Sequence, residues 1–337
     1  MLKNFIITGG SGFIGSHFID LLLSKKLNVI NIDVKKDLIK RKNKAYKFIK
    51  GNICDSKLIS KLITNKTDCI VNFAAQTHVD RSIDFPKDFV KNNIIGTFNL
   101  LEVIRKKKIN PLFVQISTDE VFGSLDSKQK SFNEKSQINP NSPYSASKAS
   151  ADHLVRSYFK TFNFKTIITH SSNNFGERQH PEKLIPLSVM QIIKGKEVPL
   201  YGDGKNIRDW IYVKDNCKCI FEILQKSKHG KSYLVGAKNE ISNINIVKKI
   251  IKILKLKHNI DVLNRGYKFV IDRKGHDFRY SINNKKMIDL TKVKFSNFEK
   301  NLENTINYYF KFFKHYEKKF EESWLKKKVN NSIKSVK

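Results

Sequence analysis

Three glycines set the first constraint on this chain. Gly9, Gly12 and Gly15 follow the apolar run Phe5–Thr8 and open the amphipathic stretch Ile14–Leu23. A strand, a glycine turn and a helix in that order present backbone amides at a helix N-terminus, where they suit a pyrophosphate. The alternation then continues. Val29–Ile32 ends at Asp33, Lys47–Ile49 leads into Asp55–Ile63, and Asp68–Phe73 runs into a loop. Asp88–Arg105 has a long helical pattern, and Leu112–Ile116 is strand-like and ends at Ser117. Tyr144–Phe162 is helical, and Thr166–Thr169 is again strand-like. Strands alternating with helices predict an α/β fold on a doubly wound parallel sheet, with function at the carboxyl ends of its strands.

Asp33 falls where a Rossmann fold meets the adenosine ribose. A carboxylate there accepts from both ribose hydroxyls and repels a 2′-phosphate, which favours NAD over NADP. The expected first domain is residues 1–172, NAD-binding and carrying the catalytic groups. After about residue 175 the regularity fades. Asn173–Pro186 and Pro199–Tyr212 read as loops and short elements, and Val247–Leu256 and Phe298–Phe320 as helices. Residues 173–320 are expected to form a smaller substrate-binding lobe, with some segments returning to the first domain. Residues 321–337 are a Lys-rich tail, expected to fray from Leu325 onward.

At 337 residues the chain can bury a large core, and its 40% apolar content with 24 Phe fits a globular protein. No apolar run reaches bilayer length, and the N-terminus lacks signal-peptide architecture. Cys54, Cys69, Cys217 and Cys219 have no metal-ligand spacing and read as reduced thiols in a cytoplasmic protein. Lys plus Arg number 64 against 31 Asp plus Glu, a net charge of +33. The lysines are dispersed and no nucleic-acid motif accompanies them. They therefore read as solvated faces that help attract an anionic substrate rather than as a nucleic-acid or membrane surface.

Two short motifs carry the chemistry. Tyr144 and Lys148 are four residues apart, so on a helix they face the same way. A tyrosine is a poor base at neutrality, and a nearby ammonium together with a positive nicotinamide favours its ionised form. Thr118 can bond the same substrate oxygen. Asp119 and Glu120 follow on the same strand end. Once carbon 4 of a hexose is a ketone, the proton on carbon 5 is acidic. One carboxyl can remove it while the other protonates the departing hydroxyl on carbon 6, each transfer worth about 10²–10⁴ in rate.

With these residues assembled, the chain resembles the dTDP-glucose 4,6-dehydratases of the extended short-chain dehydrogenase/reductase superfamily. The resemblance runs to about residue 315. It rests on residues 8–15, 74–82, 117–123, 144–148, 172–176, 181–186, 208–213 and 275–280, among them Ser-Thr-Asp-Glu-Val-Phe-Gly and Arg-Asp-Trp-Ile-Tyr-Val. It implies that Tyr144 deprotonates the 4-hydroxyl as hydride passes to NAD, that Glu120 takes the carbon-5 proton, and that Asp119 protonates the leaving hydroxyl. NAD is regenerated at each turnover and stays bound.

The resemblance also implies that Phe13, Ile14, Asp33, Asn52, Ile53, Ala74, Ala75 and Asn174, with the glycines, Tyr144 and Lys148, contact the cofactor. It assigns the nucleotide-sugar to His78, Asn173, Lys183, Leu184, Pro199, Tyr201, Arg208, Asn243, Arg273 and His276. Arg208 and Arg273 suit a diphosphate through the planar guanidinium fork. The resemblance further implies a homodimer through helices 88–105 and 144–162. The chain departs from the family pattern at Asn52, Gln76, Phe122, His170, Phe175 and Glu177, none of them in the catalytic set. UDP-glucose as substrate and nucleotide-sugar 4-epimerisation remain open alternatives, with a basic NAD-binding scaffold more distant.

Overall fold

The computed structural model describes residues 2–37, 39 and 41–321; the tail expected to fray lies outside them. The first half supplies six strands, β1 (Asn4–Thr8), β2 (Asn28–Asp33), β3 (Tyr46–Lys50), β4 (Cys69–Asn72), β5 (Leu112–Thr118) and β6 (Thr166–Ser171). The second half supplies β7 (Asn173–Phe175), β8 (Val198–Tyr201), β9 (Ile207–Tyr212), β10 (Lys231–Val235), β11 (Glu240–Ser242) and β12 (Tyr267–Val270). Seven strands form one sheet in the order β10-β6-β5-β4-β1-β2-β3, every pair parallel. The doubly wound α/β fold expected from the alternation is therefore the observed one.

The strand sequences explain the layering. In β1, Phe5 and Ile7 point to one face and Ile6 to the other, and all three are buried. Phe5, Ile7, Phe18 and Leu22 join a cluster that continues into the second half through Val213, Ile220 and Ile306. Ile6, Ile32, Ile70 and Phe113 meet Leu100, Ile104, Val155 and Tyr158 on the opposite face. The chain turns back after β1 toward β2 and crosses to β4 on the other side. A crevice therefore opens between the ends of β1 and β4, where such sheets bind ligands.

Two expected helices prove to be interrupted. The stretch read as Asp88–Arg105 begins as Pro86–Phe89, widens into a π-turn over Val90–Ile95 and resumes as Gly96–Lys106. Within the wide turn, buried Asn93 accepts from the Gln76 amide (2.8 Å) and donates to the Gln76 carbonyl (3.1 Å) and to Ser147 Oγ (2.8 Å). Those bonds hold the turn against the loop after β4 and the helix Pro143–Phe162. The stretch read as Phe298–Phe320 breaks at Phe312 into Phe298–Lys311 and Phe313–Glu321.

In the second half, β10 returns to pair with β6, which extends the sheet. β7 leaves that sheet two residues after β6 ends and pairs with β9, itself antiparallel to β11. β8 and β12 form a separate parallel pair. Arg208 lies in β9, Lys183 precedes the helix Leu184–Ile193 and Arg273 follows β12, and the charges of all three reach Glu120, just past the end of β5.

Candidate active site

The glycine turn has the shape a pyrophosphate cradle requires. Gly9 has φ +69°, a region open to glycine, and a Cβ there would stand 2.6 Å from the Ala74 amide nitrogen. A Cβ on Gly15 would stand 2.6 Å from the Gly9 carbonyl. Only bare backbone fits at either position, and helix Phe13–Ser24 starts there with no side-chain cap on its amides. Asp33, at the end of β2, accepts from the Ser11 amide (3.0 Å) and the Lys35 amide (2.8 Å), which fixes the carboxylate beside the turn. Burial pushes its pKa up, against those two amides.

The rest of the expected cofactor set follows the same edge. Ala74 bonds Thr8 Oγ1 (3.3 Å) at the crevice. Asn52 Oδ1 accepts from the Cys54 amide (2.9 Å), and the Ile53 carbonyl accepts from Asn99 (2.5 Å). Asn174 donates to the Ser172 carbonyl (2.9 Å), and its buried Oδ1 has no hydrogen-bond partner among the described residues. A glycine cradle, a ribose-level carboxylate and an unsatisfied amide oxygen fit a dinucleotide.

At the end of β5 the acids and the tyrosine converge. Thr118 Oγ1 lies 3.4 Å from both Asp119 Oδ1 and Glu120 Oε1, and it hydrogen-bonds the Tyr144 hydroxyl. The two carboxyls meet different surroundings. Burial, then the Glu120 charge, then Asp209 push Asp119 well above the usual carboxylate range, and Asp119 Oδ2 has no hydrogen-bond partner among the described residues. Burial also raises Glu120, but Arg273, Lys183 and Arg208 draw it back down. Asp119 therefore keeps its proton more readily, and Glu120 loses its own more readily. That division matches an acid and a base.

Ser142 caps the helix Pro143–Phe162 reciprocally with Ser145, so Tyr144 is fixed in the first turn. Tyr144 is pushed well above its ordinary value by burial and then by the Glu120 charge. The Lys148 ammonium donates to the Ile116 carbonyl (2.5 Å), and burial lowers its pKa to about 8. Burial and the Glu120 charge dominate at Tyr144. Positive charge beyond that of Lys148, supplied by a bound group, would favour the tyrosinate.

The cations above the carboxyls come from separate segments. Arg208 is held by the Ile207, Phe278 and Asp277 carbonyls (2.8, 3.3 and 2.9 Å) and lies over the Tyr280 ring. Arg273 carries a buried Nε with no hydrogen-bond partner among the described residues. Lys183 donates to the Thr77 carbonyl (3.0 Å).

Residues 6–298 match the family model described as GDP-mannose 4,6 dehydratase. The chain is 39% identical to the dTDP-glucose 4,6-dehydratase of Haemophilus influenzae, a match covering 91% of this chain and 98% of that one. The chain belongs to the dTDP-glucose 4,6-dehydratase family. The crystal structure of DesIV, a dTDP-glucose 4,6-dehydratase from Streptomyces venezuelae with NAD bound, superposes with a TM-score of 0.85. It is 35% identical, and the match covers 92% of this chain and 97% of that one. A UDP-glucose 4-epimerase from Thermotoga maritima, crystallised with UDP-glucose, has a TM-score of 0.82 at 25% identity and covers 92% and 100% of the two chains.

Among the substrate positions expected for a member of this family, several form a second cluster. His276 Nδ1 bonds Asp272 (2.6 Å) and sits edge-on to Tyr201, with centroids 6.1 Å apart. Tyr201 also bonds Asp80, and His78 lies between Asp80 (3.8 Å) and Glu182 (3.7 Å). Asn173 opens β7, Leu184 opens the helix Leu184–Ile193, Pro199 lies in β8, and the Asn243 amide bonds the Asn206 carbonyl (3.0 Å). None of these last four hydrogen-bonds Asp119 or Glu120.

Sequence reading missed Asp209. It is buried beside Asp119, its own pKa raised to about 6 by that burial, and its charge helps keep Asp119 protonated. Its position next to Arg208 in the Arg-Asp-Trp run was the available signal.

Proposed function

We propose that the protein converts dTDP-glucose to dTDP-4-keto-6-deoxyglucose and water, as a hydro-lyase with NAD held through the cycle. The observation that carries this reading is the meeting of Asp119, Glu120 and Tyr144 around Thr118. When bound, NAD would supply the hydride acceptor for oxidation at carbon 4 and the hydride donor for reduction at carbon 6. Gly9, Gly12, Gly15 and Asp33 would hold it by the turn and the carboxylate described above, with Phe13, Ile14, Asn52, Ile53, Ala74, Ala75 and Asn174 along the same edge.

Tyr144 accepts the proton of the 4-hydroxyl, and Thr118 orients that oxygen. Glu120, kept more acidic by three cations, removes the carbon-5 proton. Asp119, protonated in its anionic and buried surroundings, gives its proton to the leaving 6-hydroxyl. Arg208 and Arg273 bind the diphosphate, with Lys183, Tyr201, His78 and His276 lining the same side. Asn173, Leu184, Pro199 and Asn243 complete the nucleotide-sugar positions.

Incubation with dTDP-glucose and UDP-glucose in parallel, without added NAD, tests this. The expected product has lost one water and, in deuterated solvent, carries deuterium at carbon 5. A product of unchanged mass would overturn the reading. The structural likeness to an epimerase supports a second reading, nucleotide-sugar 4-epimerisation. That reaction has no use for the acid pair. Full turnover by the double variant Asp119→Asn, Glu120→Gln would favour it.

We further infer a cytoplasmic homodimer. The four cysteines are free thiols, which suits a reducing compartment. Phe85, just before Pro86, with Val90, Ile95 and Phe98 along Pro86–Lys106 and Phe162 on the neighbouring helix, are 42–49% exposed, an apolar face suited to a second copy. Sedimentation at micromolar concentration checks this. Among the described residues no helix is long and apolar enough to cross a membrane.

A further inference from the structure

Behind Lys148 lies a buried polar set that the reaction as described does not use. Asp152 is one turn beyond Lys148 on the helix Pro143–Phe162, so Tyr144, Lys148 and Asp152 follow at four-residue steps on one face. Asp152 and His170, the latter from β6, are both 0% exposed. Asp152 Oδ2 accepts from Ser117 Oγ at 2.6 Å and lies 3.2 Å from His170 Nε2. The Ile116 carbonyl, one residue before Ser117, is the group that accepts from Lys148. Consecutive residues of β5 thus hold the lysine and the carboxylate in fixed relation. Phe122 packs on the imidazole with ring centroids 5.0 Å apart, which closes that side to water. His170 and Phe122 are two of the positions where the chain departs from its family's pattern.

A carboxylate buried this deeply is unfavourable unless donors and charge compensate it. Ser117 supplies one donor and the imidazole a second. Lys148 is the nearby cation, and Asp152 is in turn the group whose charge opposes the effect of burial on Lys148. We propose that Asp152 and His170 are positioning residues for the oxidation step: the imidazole holds the carboxylate as an anion, and the carboxylate holds Lys148 as an ammonium beside Tyr144. This rests on the proposed function only through the oxidation, which dehydration and 4-epimerisation share. The titratable groups facing Asp152 are Lys148 and Tyr144 from its own helix and His170 from β6, while β5 presents the neutral Ser117.

The test follows nicotinamide reduction after rapid mixing of the holoenzyme with dTDP-glucose, across pH, in Asp152→Asn, His170→Leu and His170→Gln. Loss of the anion favours a neutral Lys148, so Asp152→Asn is expected to move the alkaline limb of the oxidation rate down by about one pH unit, with substrate KM unchanged. His170→Leu leaves the carboxylate with a single donor and is expected to do the same. His170→Gln restores a donor in place of the ring and is expected to keep the native limb.

Should Asp152→Asn fail to fold, the contrast between the two His170 variants carries the test. A readout free of turnover is the NMR titration of ε-¹³C lysine, with Lys148 assigned by Lys148→Met, where the same downward shift is expected. Native limbs in both Asp152→Asn and His170→Leu, or equal losses in His170→Leu and His170→Gln, would overturn the proposal. A native enzyme that reduces its nicotinamide but releases no water would overturn dehydration alone and leave this test intact.

Discussion

The two sides of the pocket are prepared to different degrees. On the carboxyl side, Asp119 faces Glu120 and Asp209, while Glu120 faces Arg273, Lys183 and Arg208. The chain itself separates the acid from the base. On the other side, burial and the Glu120, Asp119 and Asp152 charges all oppose ionisation of Tyr144, and Lys148 is turned to the Ile116 carbonyl. The elimination is thus set by fixed protein charges, whereas the oxidation needs positive charge at the tyrosine beyond the Lys148 ammonium. An oxidised nicotinamide would carry it. Catalysis of the first step is therefore conditional on the cofactor, and catalysis of the second is not.

The strongest way to break this contrast is Tyr144→Phe. It removes the one hydroxyl placed to take the 4-hydroxyl proton, so nicotinamide reduction by substrate is expected to fall about 10³-fold with bound NAD retained. Stopped-flow absorbance reads the rate, and a value within tenfold of native would dissolve the oxidation side as described. Glu120→Gln probes the opposite side. Oxidation should survive and elimination fall by about 10²–10³, leaving the nicotinamide reduced after mixing. If the absorbance instead recovered at the native rate, Glu120 would not be the base.

The parts of this contrast legible in the sequence are those carried by short-range pattern. The glycine turn, the strands of the first half, the Tyr144–Lys148 step and the acid pair all declare themselves within a few residues. The helix Leu184–Ile193 did not, because it is buried on nearly every side and carries Pro186 in its first turn, so no apolar stripe marks it. Val213–Lys226 was hidden differently. Its stripe is broken by buried Asp215, which accepts from Ser296, and Asn216, which accepts from Ser171. The ring of cations was unreadable for another reason. Lys183, Arg208 and Arg273 were expected as substrate ligands from their motifs, but their common approach to Glu120 depends on how three distant segments pack, and no local pattern records it.

That approach has a measurable consequence on the acid limb of elimination. Arg273 is the largest influence lowering Glu120 against its burial. Removing it with Arg273→Gln raises the Glu120 pKa further, so the base is protonated at higher pH. The acid limb of the elimination rate should move up by about one pH unit, while the oxidation limb stays near native. The substrate KM should rise as well if Arg273 binds diphosphate. Equal movement of both limbs would mean that Arg273 acts on the whole pocket rather than on one side.

The smallest effect sharpens the comparison from outside it. His17, on the helix after the glycine turn, lies 2.9 Å from the Glu177 carbonyl through Nε2 and 2.6 Å from Arg178 through Nδ1. A neutral ring can donate to the carbonyl and accept from the guanidinium, whereas a protonated ring would present a proton to a cation. Burial, reinforced by Arg178, lowers the His17 pKa from 6.5 to about 4. The unfolded chain takes up that proton below pH 6.5 and the folded chain refuses it, so the contribution is full above that pH and is lost as the pH falls to about 4. Its size is on the order of 3 kcal/mol. His17→Gln keeps a donor and an acceptor without titrating, so urea unfolding between pH 7 and 5 should show a flatter loss of stability than native. Because His17 touches neither the acid pair nor Tyr144, the elimination and oxidation limbs should both stay in place. A limb that moved with this variant would show that the contact of His17 with Glu177 and Arg178 sets the pocket charges, and the division between its two sides would no longer be local.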